Sequence, residues 1–263
     1  MVIGKKFINN YKLSNNHNLD ILIISCDAYS DVWDVFFKSF NRQWTNCPLK
    51  LNLLSNNKSY DSHQVKTIKV GEDISWSDNL LRGIQDLKND YILVLLEDLF
   101  LNNKISNDYF NQISNWIDEN NPNYLRLCIS HKPNYFDDLI GEIPQVTPYK
   151  TSTMPCIWKK SILKDLLKEG ESAWDFEIKG SKRAYKYDGF YAVYNDFIVY
   201  DNGIIKGKWR RSVVNKNKNY GLNIKNLSRP IMTLREEYVY SLRKFRSVIF
   251  NQFPNKLRTL LKG

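Results

Sequence analysis

An α/β fold with a mostly parallel central sheet flanked by helices is the class this sequence predicts. Three observations carry it. Apolar runs of strand length alternate with amphipathic runs of helix length through the first half of the chain. The strongest apolar run, Tyr91 to Leu96, is directly followed by two acids. It reads as a strand buried on both faces and is far shorter than the ~18 residues of a membrane span. The 263 residues, 43% hydrophobic and 25% charged, fit one large α/β domain. Disorder over the whole chain, collagen and coiled coil are excluded by the same composition.

The elements follow in order. Asp20 to Tyr29 opens as a buried strand and ends in small and polar residues. Asp31 to Gln43 is an amphipathic helix, with Val32, Val35, Phe36 and Phe40 at helical spacing. Leu49 to Leu54 is a second strand and Val65 to Val70 a third. Ser77 to Lys88 is a helix with Ser77 as N-cap and Leu80, Leu81, Ile84 and Leu87 on one face. Tyr91 to Leu96 follows, then a capped helix over Ser106 to Glu119 and a strand over Tyr124 to Ile129. Asp137 to Thr153 reads as loop and edge strands, broken by Pro144 and Pro148. Trp158 to Lys168 is a helix closed by Glu169-Gly170, and a further helix runs from Glu171 to about Arg183. Phe190 to Tyr200 alternates as a strand and Asp201-Asn202-Gly203 turns. Glu236 to Phe250 is a helix with Val239, Leu242, Phe245 and Ile249 on one side, and Phe253-Pro254 ends it. Sheets of this kind bind ligands beyond the carboxyl ends of their strands. That places the Cys26–Tyr29 loop and Glu97-Asp98 on one edge.

Charge divides the chain. Residues 1–205 hold 23 Lys+Arg against 26 Asp+Glu, and residues 206–263 hold 15 against 2. A slightly acidic body with a strongly basic end points to a polyanionic surface, membrane lipid or nucleic acid, or else to a solvated helical face. No linker marks a firm boundary; the division falls between residues 1–235 and a basic amphipathic helix and tail at 236–263. Met1 to Asn18 is polar, without an apolar signal region, so a cytoplasmic location is expected. Cys26, Cys47, Cys128 and Cys156 form no C-x-x-C pair. His17, His63 and His131 are scattered, so reduced thiols are expected and a zinc site is not. P-loop, dinucleotide-binding and nucleophile-elbow motifs are absent.

Three clusters carry candidate chemistry. Glu97-Asp98 after an apolar strand need partners or a metal, and oxygen ligands at a strand end suit Mg²⁺ or Mn²⁺ with substrate phosphates. A loop cap or an arginine pair would satisfy them equally. Ser75-Trp76-Ser77-Asp78-Asn79 opens a helix whose free N–H groups favour phosphate or hydroxyls. Trp76 would wall a base or sugar and Asp78 and Asn79 bond hydroxyls, unless the segment is simply a cap. In Trp174-Asp175-Phe176-Glu177 the two acids point in different directions. One of them is a candidate general base, and the alternative is a pair of first-turn acids stabilising a helix start.

The order of these blocks resembles bacterial glycosyltransferases of the GT-A fold, of the kind that act in capsule and lipopolysaccharide synthesis. The matching pieces are Ile21–Tyr29, Ser75–Leu81, Leu95–Leu101, Ser172–Glu177 with Gly180-Ser181, and Asn202–Trp209. They span about residues 19 to 212. The resemblance implies a Rossmann-like sheet and transfer of a sugar from a nucleotide-sugar donor, UDP being the commonest. The acceptor would be a hydroxyl of a saccharide or lipid-linked saccharide. It places the nucleotide on Ser25, Asp27 and Tyr29, with Trp76, Asp78 and Asn79, and a divalent metal (Mn²⁺ or Mg²⁺) on Glu97 and Asp98. Leu99 and Phe100 stand where a third acid would be, which leaves the need for the metal open. Asp175 or Glu177 would be the base of an inverting reaction, and Lys206, Lys208, Arg210 or Arg211 would supply positive charge to the phosphates. A basic tail then fits peripheral attachment to an anionic inner membrane face, with no nucleic-acid partner. Two other readings stay open: a nucleic-acid-binding protein using the basic end, and a sugar nucleotidyltransferase.

Overall fold

The structure, a computed structural model, describes residues 18–129, 133–218 and 228–252, with side chains in the last helix given as far as Lys244 and at Arg246. The readings of Met1 to His17, His131, Phe245, Ile249 and the tail from Phe253 lie outside the described residues.

The chain opens on β1 (Leu19–Ile24), buried throughout, and a short 3-10 turn at Asp27–Tyr29 leads into α1 (Ser30–Gln43). There follow β2 (Leu51–Ser55), β3 (Val65–Lys69), α2 (Trp76–Gly83), β4 (Tyr91–Leu96), β5 (Leu99–Leu101) and α3 (Asn107–Asn120). Next come β6 (Tyr124–Arg126), β7 (Asn134–Tyr135), β8 (Ile140–Glu142), β9 (Cys156–Lys159) and α4 (Lys160–Leu166). α5 (Ala173–Asp175) continues through a π-helical turn at Phe176–Gly180 into α6 (Ser181–Arg183). The chain closes with β10 (Phe190–Val193), β11 (Tyr200–Asn202), β12 (Ile204–Ile205), β13 (Lys208–Trp209), α7 (Arg211–Asn217) and α8 (Leu234–Gln252).

Nine strands form the main sheet in the order β3-β2-β1-β4-β9-β6-β10-β8-β7. β3, β2, β1 and β4 are mutually parallel, and so are β6 and β10. β9 and β8 run against their neighbours, so seven of the nine strands point one way. The 3-2-1-4 run is a Rossmann-like strand order, with its switch point between β1 and β4. The α/β, mostly parallel architecture expected from the sequence is the one found.

Strand alternation divides the core between the two faces. Ile21, Ile23, Leu53, Leu93 and Leu95 pack under α1, α3 and α7 through Phe36, Phe40, Phe110, Ile113 and Val213. Leu22, Ile24, Leu54, Ile92 and Val94 pack under α2 and α4 through Leu80, Ile84, Leu163 and Leu166. Both faces are covered, which is why β1 and β4 read as continuous apolar runs.

Four local expectations change. The N-cap of α2 is Ser75, whose hydroxyl accepts the Asp78 N–H, and not Ser77. Trp158 lies in β9, between β4 and β6, and the helix starts only at Lys160. The single strand expected over Phe190 to Tyr200 is two: β10 in the main sheet and β11, which pairs with β5 instead. The α8 helix starts at a Thr233–Glu236 capping box, Thr233 Oγ1 accepting Glu236 N–H at 3.2 Å and Glu236 Oε2 accepting Thr233 N–H at 2.8 Å.

Candidate active site

Register brings the first two clusters together. β1 and β4 pair from Leu19 with Tyr91 to Ile24 with Leu96, so the chain leaves both strands side by side. Ser25 and Cys26 emerge from one, Glu97 and Asp98 from the other. A cavity of about 330 Å³ opens there, lined by these four residues with Tyr29, Leu54, Asp73, Trp76, Asn79, Leu96 and Ala173. Its position outside the carboxyl ends of the strands, at the switch point, is where open α/β sheets hold ligands.

The floor is acidic. Glu97 is 8% exposed. Burial, joined by the charge of Asp98, pushes its carboxyl well above the ordinary range. Burial also pushes Asp98 up to about 6. Arg229, whose charge opposes both shifts, is itself ion-paired with Asp31 at 2.9 Å. Burial, with the charges of Glu97 and Asp73 acting in the same direction, holds the Cys26 thiol above its usual value, so it stays protonated and a poor nucleophile. The backbone of Asp98 is fixed from the other side: its carbonyl accepts the Gly203 N–H at 2.6 Å, and β11 closes against β5.

Among the described residues no group of three or more His, Cys, Asp or Glu side chains is arranged to hold a metal ion. Buried Glu97 and half-buried Asp98 nonetheless fit a divalent cation of the Mg²⁺ type. Such an ion takes one or two carboxylates and completes its shell from phosphate and water. Two adjacent acids that have no ion pair among the described residues would gain most from it.

The other candidate residues divide. Ser25 lines the cavity, its hydroxyl accepting Trp33 Nε1–H at 2.7 Å. Tyr29 and Trp76 line it as well, Trp76 backed by Phe176 at 5.4 Å between ring centroids. Asn79 lines it, but its amide is engaged by Asp73 at 2.6 Å and by Arg82 at 2.6 Å. Asp27 stands behind the wall, where its carboxylate accepts the N–H groups of Asn56, Asn57 and Lys58 and ties the β1 loop to the β2 loop. Asp78 is likewise structural, bonded by the Ser75 hydroxyl at 2.5 Å and the Gly170 N–H at 2.8 Å. Lys208 pairs with Glu236 of α8 at 2.6 Å and is not among the cavity's lining residues.

The two candidate bases differ in what their oxygens do. Asp175 forms a reciprocal capping box with Ser172 and an ion pair with Lys179 at 2.8 Å. Lys179 and Ser172 hold its carboxyl down at about 2. Glu177 spends only Oε1, which accepts from Ser152 Oγ at 3.1 Å, Thr153 N at 2.7 Å and Thr153 Oγ1 at 2.8 Å. Its Oε2 accepts no hydrogen bond among the described residues. Neither acid lines the cavity, although Ala173 at the start of the same helix does.

Sequence reasoning missed Asp73, which only the fold of the β3–α2 loop delivers to the cavity. It also missed Arg229, stacked 4.3 Å over the Tyr29 ring.

No protein-family model matches the chain, and no curated protein matches it significantly. Several solved structures are similar. Residues 1–349 of Staphylococcus aureus TarS align at a TM-score of 0.46 with 11% identity, over 66% of this chain and 59% of that one. This chain therefore spans about three fifths of that structure. The same TarS fragment in complex with UDP-GlcNAc aligns at 0.45, with the same identity. A UDP-glucose pyrophosphorylase complexed with UDP-glucose aligns at 0.40 with 8% identity, over 69% and 91% of the two chains.

Proposed function

We propose that the protein is a glycosyltransferase that moves a sugar from a nucleotide-sugar donor, UDP-linked in the first instance, to a hydroxyl of a saccharide or lipid-linked saccharide acceptor. Surface polysaccharide synthesis of the capsule or lipopolysaccharide type is the setting this reading gives it. One observation carries it: two adjacent acids at the end of the central strand, Glu97 buried and Asp98 half-buried, share a cavity at the β1/β4 switch point with a serine and two aromatic side chains. Glu97 and Asp98 would hold a divalent metal, which supplies positive charge against phosphate oxygens when bound. Tyr29 and Trp76 offer flat faces to the base and the sugar.

Inversion suits one carboxylate base. The acceptor oxygen attacks the anomeric carbon and gives its proton to Glu177, while the bond from that carbon to the phosphate oxygen breaks and the nucleoside diphosphate leaves with the electron pair. Glu177 has the arrangement for this, with one oxygen anchored by three donors and the other open. Asp175, with both oxygens occupied, serves as a helix cap. In this reading the exposed basic residues of α8 contact an anionic membrane surface on the cytoplasmic side, and nucleic acid is not a partner.

A sugar nucleotidyltransferase would use the same acids and cavity, and the products separate the two. The test is a thermal-shift screen of nucleoside diphosphates and nucleotide sugars with and without Mn²⁺, followed by product analysis with the donor that stabilises most. Release of nucleoside diphosphate supports transfer of the sugar. Release of pyrophosphate, or indifference to every nucleotide, overturns it.

A further inference from the structure

The cavity poses a charge problem that the residues lining it do not solve. It carries Asp73, Glu97 and Asp98 and, among the described residues, is lined by no Lys, Arg or His. A nucleoside diphosphate adds further negative charge, so a cation at the rim has to meet it, whatever metal Glu97 and Asp98 hold. Among the described residues, Arg82, Lys58 and Arg229 are the cations bonded to or stacked on the lining residues and the Asp27–Tyr29 turn. Arg82 is consumed behind the wall, donating to the carbonyls of Val70, Glu72 and Asp78 and to Asn79 Oδ1. Lys58 is turned away onto the Asp27 carbonyl at 3.2 Å and the Ser30 hydroxyl at 2.7 Å. Arg229 remains.

Arg229 lies flat over Tyr29, itself a lining residue, with 4.3 Å from the guanidinium carbon to the ring centroid. Nε and Nη2 are held by Asp31, at 2.9 and 3.0 Å, and Nη2 also reaches the Ala28 carbonyl. Nη1 donates to nothing among the described residues. Its charge also acts on Glu97 and Asp98. One edge of the fork is thus fixed and the other left over, the condition in which a guanidinium offers paired donors to phosphate oxygens without first being ordered.

We infer that Arg229 is the diphosphate-binding cation of this cavity, oriented by Asp31 and Tyr29 to meet the phosphates from the Tyr29 side. This rests on the nucleotide-sugar reading above. It adds a residue some 198 positions from its anchor Asp31 and outside every block that suggested the function.

The test compares wild type, Arg229→Ala and Arg229→Gln by calorimetric titration in Mn²⁺ with UDP, pyrophosphate and uridine. Loss of a charged hydrogen-bonding group should weaken UDP and pyrophosphate by roughly tenfold or more in both variants, while uridine, which lacks phosphate, binds as it does to wild type. Arg229→Gln keeps most of the side-chain volume, so it carries the comparison if the alanine variant melts early. Wild-type affinity for UDP and pyrophosphate in a folded variant would overturn the role of Arg229 and leave the donor reading standing. Failure of the wild type to bind any of the three would bring down both.

Discussion

Burial carries Asp98 from an ordinary value of 3.8 to about 6, so the folded protein keeps a proton there in a window where the unfolded chain has lost it. The sign follows from linkage. The native state binds more protons than the unfolded state between those values, so the stability this group contributes is present at low pH and is lost as pH rises through about 6. Asp98→Asn should therefore stabilise the protein by about 1–3 kcal/mol near pH 8 and by almost nothing near pH 4. Thermal melts across that range check it, and parallel profiles for variant and wild type would contradict it. Any stabilisation by Mn²⁺ with UDP should vanish in the same variant. For the two candidate bases the expectation splits. Glu177→Gln should lower transfer by about a hundredfold or more while sparing donor binding. Asp175→Asn should cost about 1 kcal/mol of stability through the weakened cap and leave the rate nearly intact; a rate assay beside a melt separates the two roles. That Glu97 and Asp98 stand beside the Ser25–Tyr29 loop was legible in the sequence because β1 and β4 read as buried strands of one parallel sheet, each ending in polar residues. Arg229 was not, because its value comes from a contact with Tyr29 and Asp31 that no local pattern encodes.

At the level of elements, what was legible was what buries a face. β1, β4, α1 and α3 each announce themselves by period and apolar content. β9 was hidden because its four residues, Cys156 to Lys159, run into α4 without a break and blend with the helical pattern. β5 and β11 were hidden for another reason: at three residues each they mean little apart, and only their pairing gives them a role. That role is to brace the acids. Gly203 follows β11, donates to the Asp98 carbonyl at 2.6 Å, and has no room for a side chain. A Cβ there would stand 2.3 Å from the Phe100 ring and 3.2 Å from the Asp98 carbonyl oxygen. Phe100 is buried against Phe36 and Trp209, so the ring has little freedom to retreat. Gly203→Ala should destabilise by about 1–3 kcal/mol. It should weaken Mn²⁺-dependent nucleotide binding more than it weakens binding of uridine, because the shift of the β5–β11 pair is passed to Asp98. Equal loss for both ligands would mean that the β5–β11 pair supports the fold without positioning the acid.

At the scale of the whole molecule, α8 attaches the described part of the basic end to the body. Its inner side is stitched to β11, β13 and the start of α7: Glu237 accepts from Arg210 at 3.0 Å and Ser212 at 2.7 Å, Lys208 pairs with Glu236, and Asn202 donates to the Tyr240 hydroxyl at 2.9 Å. Its outer side is left bare. Leu234, Tyr238 and Leu242 recur every fourth residue along one line that ends at Arg246, and Arg235, Val239 and Arg243 form the next line. All seven are exposed, as is Lys244. A second copy meeting this surface would bring arginines against arginines, and nucleic acid would find no use for the leucine line. An anionic bilayer satisfies both, taking the apolar line into the interface and the cations onto lipid phosphates. Each basic residue near such a surface contributes about 1 kcal/mol. Replacing Arg235, Arg243, Lys244 and Arg246 together by glutamine should thus lower affinity for vesicles containing phosphatidylserine by a hundredfold or more, and phosphatidylcholine vesicles should bind neither protein well. Flotation measures the loss. The inner anchors Glu236, Glu237 and Tyr240 are untouched in this variant, so its thermal response to UDP with Mn²⁺ should equal that of the wild type. Unchanged flotation would remove α8 as the membrane contact, and a lost nucleotide response would show that its outer face also serves the cavity.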